Sequence, residues 1–109
     1  MSRESIGEFE HLILLAVLRL GDQAYGASIF DELAHHTDRA ILRPAVYNAL
    51  RRLEAKGFLS SEEGEPTPER GGRAKRYFRI EPAGTAQLQE SRQTLLSLWD
   101  GVAATLDGA

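Results

Sequence analysis

A mainly helical domain with one small β-hairpin is the fold class this sequence predicts, and three observations carry the prediction. Three apolar stripes at helical spacing follow one another before Gly57. A turn-rich, basic segment from Pro66 to Ile80 then runs into a short strand whose alternate residues are charged. Pro82 finally opens a long amphipathic helix. Three short helices, a hairpin and a terminal helix, in that order, describe a winged helix-turn-helix with a C-terminal dimerisation helix.

In the first helix, Phe9, Leu12, Ile13, Ala16, Val17 and Leu20 recur at i, i+3, i+4 and i+7, and Gly21 stops it, so it is expected over about Ser5 to Leu20. Leu14, Leu15 and Leu18 widen its apolar surface beyond one stripe, which suggests burial on two sides. Tyr25, Ile29, Phe30 and Leu33 predict a second helix over about Gly26 to His36, followed by a polar turn at Thr37 to Arg39. Pro44 suits the first turn of a third helix, where its missing N–H leaves no bond unmade. Val46, Ala49, Leu50 and Leu53 form that helix's inner stripe, and Gly57 ends it at the left-handed cap position. Its outer side holds Ala45, Asn48, Arg51, Arg52 and Lys56, with Tyr47 near the boundary.

Phe58 to Glu63 and Ala74 to Ile80 are expected to pair as strands across a loop marked by Gly64, Pro66, Pro68, Gly71 and Gly72. Alternation puts Arg76, Phe78 and Ile80 on one face, toward the helices, and Lys75, Tyr77 and Arg79 on the other, toward solvent or a ligand. From Pro82 to about Leu106 a single helix is expected. Leu88, Leu95 and Val102 repeat at sevens there, joined by Leu98, Trp99 and Leu106. That stripe is more apolar surface than an isolated subunit can cover, so these six residues are the expected dimer interface. The other reading folds the helix back on helix 1 of its own chain.

The net charge of −3 is unusual for a protein that meets nucleic acid, but its distribution is uneven. Arg39 to Arg79 holds ten basic and five acidic residues, while everything outside holds three basic and eleven acidic. Phosphate contact depends on the local patch, because charges more than about 10 Å away are largely screened. A basic helix followed by a basic hairpin therefore points to double-stranded DNA, with residues 1–81 as the binding domain and 82–109 as the dimerisation helix. A solvated charged face is the bland alternative. The chain has no cysteine, which excludes disulfides and thiolate metal sites. His11, His35 and His36 form no ligand set, since neighbouring residues do not share a helix face and no clustered carboxylate completes a site. No phosphate-cradling glycine loop or nucleophile–base pair is present, so neither an enzyme nor a cofactor is expected. No apolar run approaches the about 18 residues of a membrane span, and no secretory signal opens the chain, so a cytoplasmic location is expected.

Four stretches together resemble the PadR family of bacterial transcriptional regulators: Leu12-Ile-Leu-Leu-Ala-Val-Leu, Ala24-Tyr-Gly-Ala-Ser-Ile, Ala45-Val-Tyr-Asn-Ala-Leu-Arg-Arg-Leu-Glu-Ala-Lys-Gly-Phe-Leu, and Gly71-Gly-Arg-Ala-Lys-Arg-Tyr-Phe-Arg-Ile-Glu-Pro-Ala-Gly. The short tail resembles the subgroup with a single C-terminal dimerisation helix. The resemblance implies a winged-helix homodimer acting mainly as a repressor at a palindromic operator. It also implies that a tyrosine and nearby polar residues of the recognition helix, with basic residues of the wing, meet DNA. On this chain those are Tyr47, Asn48, Arg51, Arg52, Arg73, Lys75 and Arg76. Two departures stand out: Pro44 where many relatives have glycine, and Glu81 where a threonine commonly caps the last helix.

Each assignment has a competitor. Arg51 and Arg52 can donate to phosphates or read guanine, but Arg52 can instead form an intramolecular pair. Tyr47 can hydrogen-bond a phosphate or mainly pack, and Asn48 can read adenine or simply be exposed. Glu65 and Glu69 in the wing oppose phosphate contact and must turn outward. Resemblance to ligand-responsive relatives suggests a small aromatic effector against Trp99, whereas the indole can equally fill the dimer core. Two other functions compete with a DNA-binding regulator: a winged-helix protein-interaction module, and a small-molecule sensor using the dimer interface.

Overall fold

Five α-helices and a two-stranded hairpin make up the computed structural model of the chain, which describes residues 6–65 and 74–108. The chain runs α1 (Glu8–Leu20), a 3-10 turn (Gly21–Gln23), α2 (Gly26–His36), α3 (Arg43–Ala55), β1 (Leu59–Glu63), β2 (Arg76–Ile80), α4 (Pro82–Trp99) and α5 (Val102–Asp107). Ile13, Leu14 and Val17 of α1, Ile29 and Leu33 of α2, and Val46, Leu50 and Leu53 of α3 meet in one core, closed by Leu59 of β1. The mainly helical fold with an antiparallel hairpin is the one expected.

α1 begins at Glu8, with Gly7 at its N-cap, rather than at Ser5, which lies outside the described residues. Leu14 is fully buried, while Leu15 and Leu18 are exposed. α2 has the expected bounds, and its entry is tied by Ser28, whose Oγ accepts the Tyr25 N–H at 2.9 Å and donates to the Gln23 carbonyl at 2.6 Å. α3 starts one residue early, at Arg43, with Pro44 second. Leu42 precedes it and supplies no side-chain cap. Gly57 takes φ +81, the left-handed conformation expected of it, and lets Phe58 N–H return to the Leu53 carbonyl at 2.9 Å. The third helix thus turns directly into the hairpin.

β1 and β2 pair antiparallel with Leu59 opposite Ile80 and Glu63 opposite Arg76. Both strands are shorter than expected, beginning at Leu59 and Arg76. Phe78 and Ile80 pack on the core as expected, whereas Arg76 on the same face is exposed. The opposite face is only partly open to solvent. Tyr25 bridges Tyr77 along the free edge of β2, Phe78 N–H donates to the Ala24 carbonyl at 2.8 Å, and the two tyrosine rings meet edge-on at 5.6 Å. The segment between helices 1 and 2 therefore serves as a third, minimal strand.

The expected single C-terminal helix is two helices. α4 ends at Trp99, Asp100 leaves helical geometry, and Gly101 takes φ +78 before α5 begins. Asp-Gly interrupts the helix because aspartate favours local bonds over helix interiors and glycine fits the left-handed turn. The first part of α4 belongs to the core. Leu88 is 6% exposed, and a Cβ at Gly84 would overlap the Phe58 carbonyl oxygen, so only glycine permits this close packing. Glu81, at the N-cap, makes no side-chain bond to the helix; its carboxylate accepts the Ser60 hydroxyl at 2.6 Å. Its backbone N–H donates to Phe58 at 2.9 Å, so contacts to the hairpin anchor the start of α4 in place of a cap. His11 Nδ1 and Ser91 Oγ, 3.0 Å apart, tie α1 to α4.

Candidate nucleic-acid interface

α3 buries Val46, Ala49, Leu50 and Leu53 and exposes the rest, so Tyr47, Asn48, Arg51 and Arg52 lie on its outer surface. Tyr47 is seated against Gly26, where a Cβ would come within 3.0 Å of the ring Cζ and the phenolic oxygen. The Tyr25-Gly26 pair thus has two jobs. Tyr25 braces the hairpin, and Gly26 leaves room for the Tyr47 ring.

A groove of about 530 Å³ separates the outer face of α3 from the loop end of the hairpin strands, where β2 begins. Tyr47, Arg51 and Glu54 of α3 line it together with Lys75 and Arg76 of the hairpin and Tyr25 and Gly26 at the start of α2. Four of the seven residues expected to meet DNA therefore surround one space. The hairpin wall is fixed by a relay: Arg76 Nη1 donates to Ser61 Oγ at 3.0 Å, and Ser61 Oγ donates to Glu54 Oε2 at 2.7 Å. Lys75 Nζ sits 4.3 Å above the Tyr25 ring, a cation–π contact that holds its charge beside the groove. Arg76 also lies 3.9 Å from Glu63, a surface pairing of small energetic weight.

The remaining three residues are placed differently. Asn48 is exposed on α3 outside the groove lining. Arg73 lies outside the described residues, as does Glu69; Glu65 is exposed. Arg52 forms the intramolecular pair that competed with DNA contact: its Nε donates to Glu10 Oε2 at 3.2 Å. Lys56 Nζ bonds both oxygens of the same carboxylate, at 3.1 and 3.2 Å, and the Gly7 N–H reaches Oε1 at 3.3 Å. Glu10 is 7% exposed. Burial would raise its pKa, but the bonds from Lys56, Gly7 and Arg52 outweigh burial and hold the carboxyl below its ordinary value.

Glu10, Tyr25, Glu54 and Ser61 were not among the expected site residues. Glu10 had a readable signal, since it sits three and four residues before Ile13 and Leu14, inside the buried stripe. An acid at such a position needs a partner. The others become legible only when β2 is laid against the Tyr25 edge and β1 against α3.

Of the expected interface residues on the C-terminal helices, Leu95, Leu98, Trp99, Val102 and Leu106 are exposed, and Leu98 is 71% so. Leu88 is a correction: buried in the subunit's own core, it has no surface to offer a partner. The break at Asp100 and Gly101 also interrupts the heptad repeat, because Val102 and Leu106 belong to a separate helix. No helix among the described residues is long and apolar enough to cross a membrane, and no group of three metal-ligating side chains occurs among them.

Comparison with known proteins fits this architecture. Residues 14–90 match the transcriptional regulator PadR-like family. The transcriptional regulator Rv3488 of Mycobacterium tuberculosis is 39% identical over 77 residues, which are 71% of this chain and 67% of that protein. A PadR family transcriptional regulator from Eggerthella lenta superposes with a TM-score of 0.67 at 30% identity, covering 94% of this chain and 88% of its own. A transcriptional regulator from Clostridium thermocellum gives 0.69 at 26% identity, with 86% and 88% covered. These relatives are regulators of transcription, not enzymes. With its family match spanning both the recognition helix and the hairpin, the chain belongs to the PadR-like family of transcriptional regulators.

Proposed function

We infer that this regulator is a DNA-binding repressor that acts as a homodimer on a palindromic operator. The observation that carries the reading is the groove where Tyr47 and Arg51 of α3 face Lys75 and Arg76 of the hairpin. A helix seated in a major groove places such a wing against the flanking backbone, where its cations meet phosphates. Tyr47 supplies a hydroxyl for a phosphate, Arg51 a fork for phosphate or guanine, and Asn48 an amide for a base edge. Arg73 is assigned to the wing contact on the family resemblance alone.

Residues 1–81 supply the DNA-contacting surface and residues 82–109 the pairing surface, although the first turns of α4 also complete the core. Pairing is argued from Leu95, Leu98, Trp99, Val102 and Leu106, joined by Leu15 and Leu18 of α1. Each such side chain contributes about 1.5–3 kcal/mol when fully covered, more than a cytoplasmic subunit would leave in water. Pairing two copies presents two recognition helices to successive major grooves, about 34 Å apart. Trp99, 47% exposed, either fills that interface or offers its ring to a small aromatic effector. Fluorescence separates these uses, since an effector quenches Trp99 emission in the assembled dimer.

Mobility shift on the duplex upstream of its own gene tests the reading. A retarded complex that weakens with salt is expected. No shift at low salt, at any protein concentration, would favour a protein-interaction module instead.

A further inference from the structure

Arg52 is half exposed on the outer face of α3, yet one end of its guanidinium is fixed. The Nε–H donates to Glu10, a buried carboxylate itself held by Lys56 and by the Gly7 N–H at the start of α1. Among the described residues, Nε is the only guanidinium nitrogen of Arg52 that makes a hydrogen bond, so the terminal amino groups, with four of the five donors, stay available to a ligand. Exposure divides in the same sense. The Arg52 side chain is 53% exposed where that of Lys56 is 23%. Of the two cations on Glu10, Arg52 is therefore the one presented at the surface.

We propose that Glu10 is a positioning residue for DNA contact, fixing the Arg52 guanidinium on α3 so that its terminal nitrogens meet a phosphate already oriented. The inference rests on the DNA-binding reading above and extends it to a residue that never touches the duplex. Its basis is preorganisation: a long flexible side chain ordered on folding has less freedom to lose on binding. An anchor of this kind must itself be rigid. Glu10 qualifies, because it is buried and its oxygens are occupied by donors from Arg52, Lys56 and the α1 cap.

The test exploits a conflict of sign. Glu10→Gln adds a positive charge to each subunit, so a role through charge alone predicts tighter DNA binding and a steeper salt dependence. Positioning predicts the reverse: binding about tenfold weaker, and a slope of log K against log salt reduced by about 0.9 per subunit, one phosphate contact. Arg52→Lys is the companion variant, since it keeps the charge at an exposed site and removes only the Nε anchor and the fork; it should lose as much as Glu10→Gln. Both are titrated against a fluorescein-labelled duplex of the upstream region, at a temperature where circular dichroism shows each folded. Arg51→Ala serves as the reference. Weakening by Arg51→Ala with unchanged or tighter binding by Glu10→Gln and Arg52→Lys overturns the positioning role alone. Absence of duplex binding by the unaltered protein overturns both this inference and the reading beneath it.

Discussion

Replacing Gly26 by alanine perturbs the candidate interface without touching DNA or a charge. Gly26 opens α2 and does not use a positive φ, so the backbone accepts alanine, whose higher helix propensity favours the substitution by up to about 1 kcal/mol. The added methyl, however, would fall inside the space of the Tyr47 ring, 3.0 Å from both Cζ and the phenolic oxygen and closer still to Cε1. Tyr47 is a surface side chain at the edge of the groove, so the ring can swing away at little cost to folding. Its hydroxyl then leaves the position opposite Lys75 and Arg76. A hydrogen bond to a charged group is worth about 1.5–3 kcal/mol, so DNA binding should weaken at least about tenfold while the melting temperature stays within a few degrees of the parent. Tyr47→Phe, which deletes only the hydroxyl, should lose a similar amount. Fluorescence anisotropy on Gly26→Ala, Tyr47→Phe and the double variant closes a mutant cycle. The double variant should bind no worse than either single one. Losses that add, or parental affinity in Gly26→Ala, would refute the idea that Gly26 seats the tyrosine for DNA.

The other expectations concern stability, assembly and pH. Leu53→Ala empties a fully buried position beneath α3 and should cost about 2–5 kcal/mol in chemical denaturation, with DNA binding lost only as the fold is lost. Leu98→Glu places a charge on the most exposed apolar site of α4 and should shift the species seen by light scattering toward the monomer, leaving the melting of the core unchanged. Two groups, His11 and Glu10, contribute to the acid limb of stability. Burial holds the His11 pKa below its ordinary 6.5, so the unfolded chain takes up that proton first and stability falls as pH drops below about 6.5. Glu10 is held below its ordinary 4.5, so its contribution is complete above that pH and is lost as acid protonates it in the fold. Denaturation midpoints measured against pH should show both losses, and Glu10→Gln should reduce only the lower one.

Much of this architecture was readable from local signals. The bounds of α2, the cap at Gly57 and the pairing of the two strands follow from stripe spacing and turn chemistry that act within a few residues. What the sequence does not reveal has a common physical origin in contacts distant along the chain. Arg52 and Lys56 find Glu10 more than forty residues away, and Tyr25 finds Tyr77 across a similar gap. No periodicity reports such meetings. The C-terminal helix failed for a different reason: an apolar repeat continuing through Leu95 and Val102 outweighed Asp100-Gly101, whose preference for a turn prevails once the helix leaves the core and no packing opposes it. Leu88 reads as a dimer residue because its heptad spacing does not reveal that it lies in the subunit's own core. At the interface the residue types on α3 were legible, but the division of labour between Arg51, which lines the groove, and Arg52, which faces α1, required coordinates.

A salt titration of duplex binding by the parent protein and by Arg51→Ala tests the central claim most directly. The parent should bind with a log–log slope steeper than −1, and Arg51→Ala should bind more weakly with a slope shallower by about 0.9 for each subunit engaged. A parent complex insensitive to salt, or an Arg51→Ala variant that reproduces the parent's affinity and slope, would contradict the assignment of this basic groove to DNA.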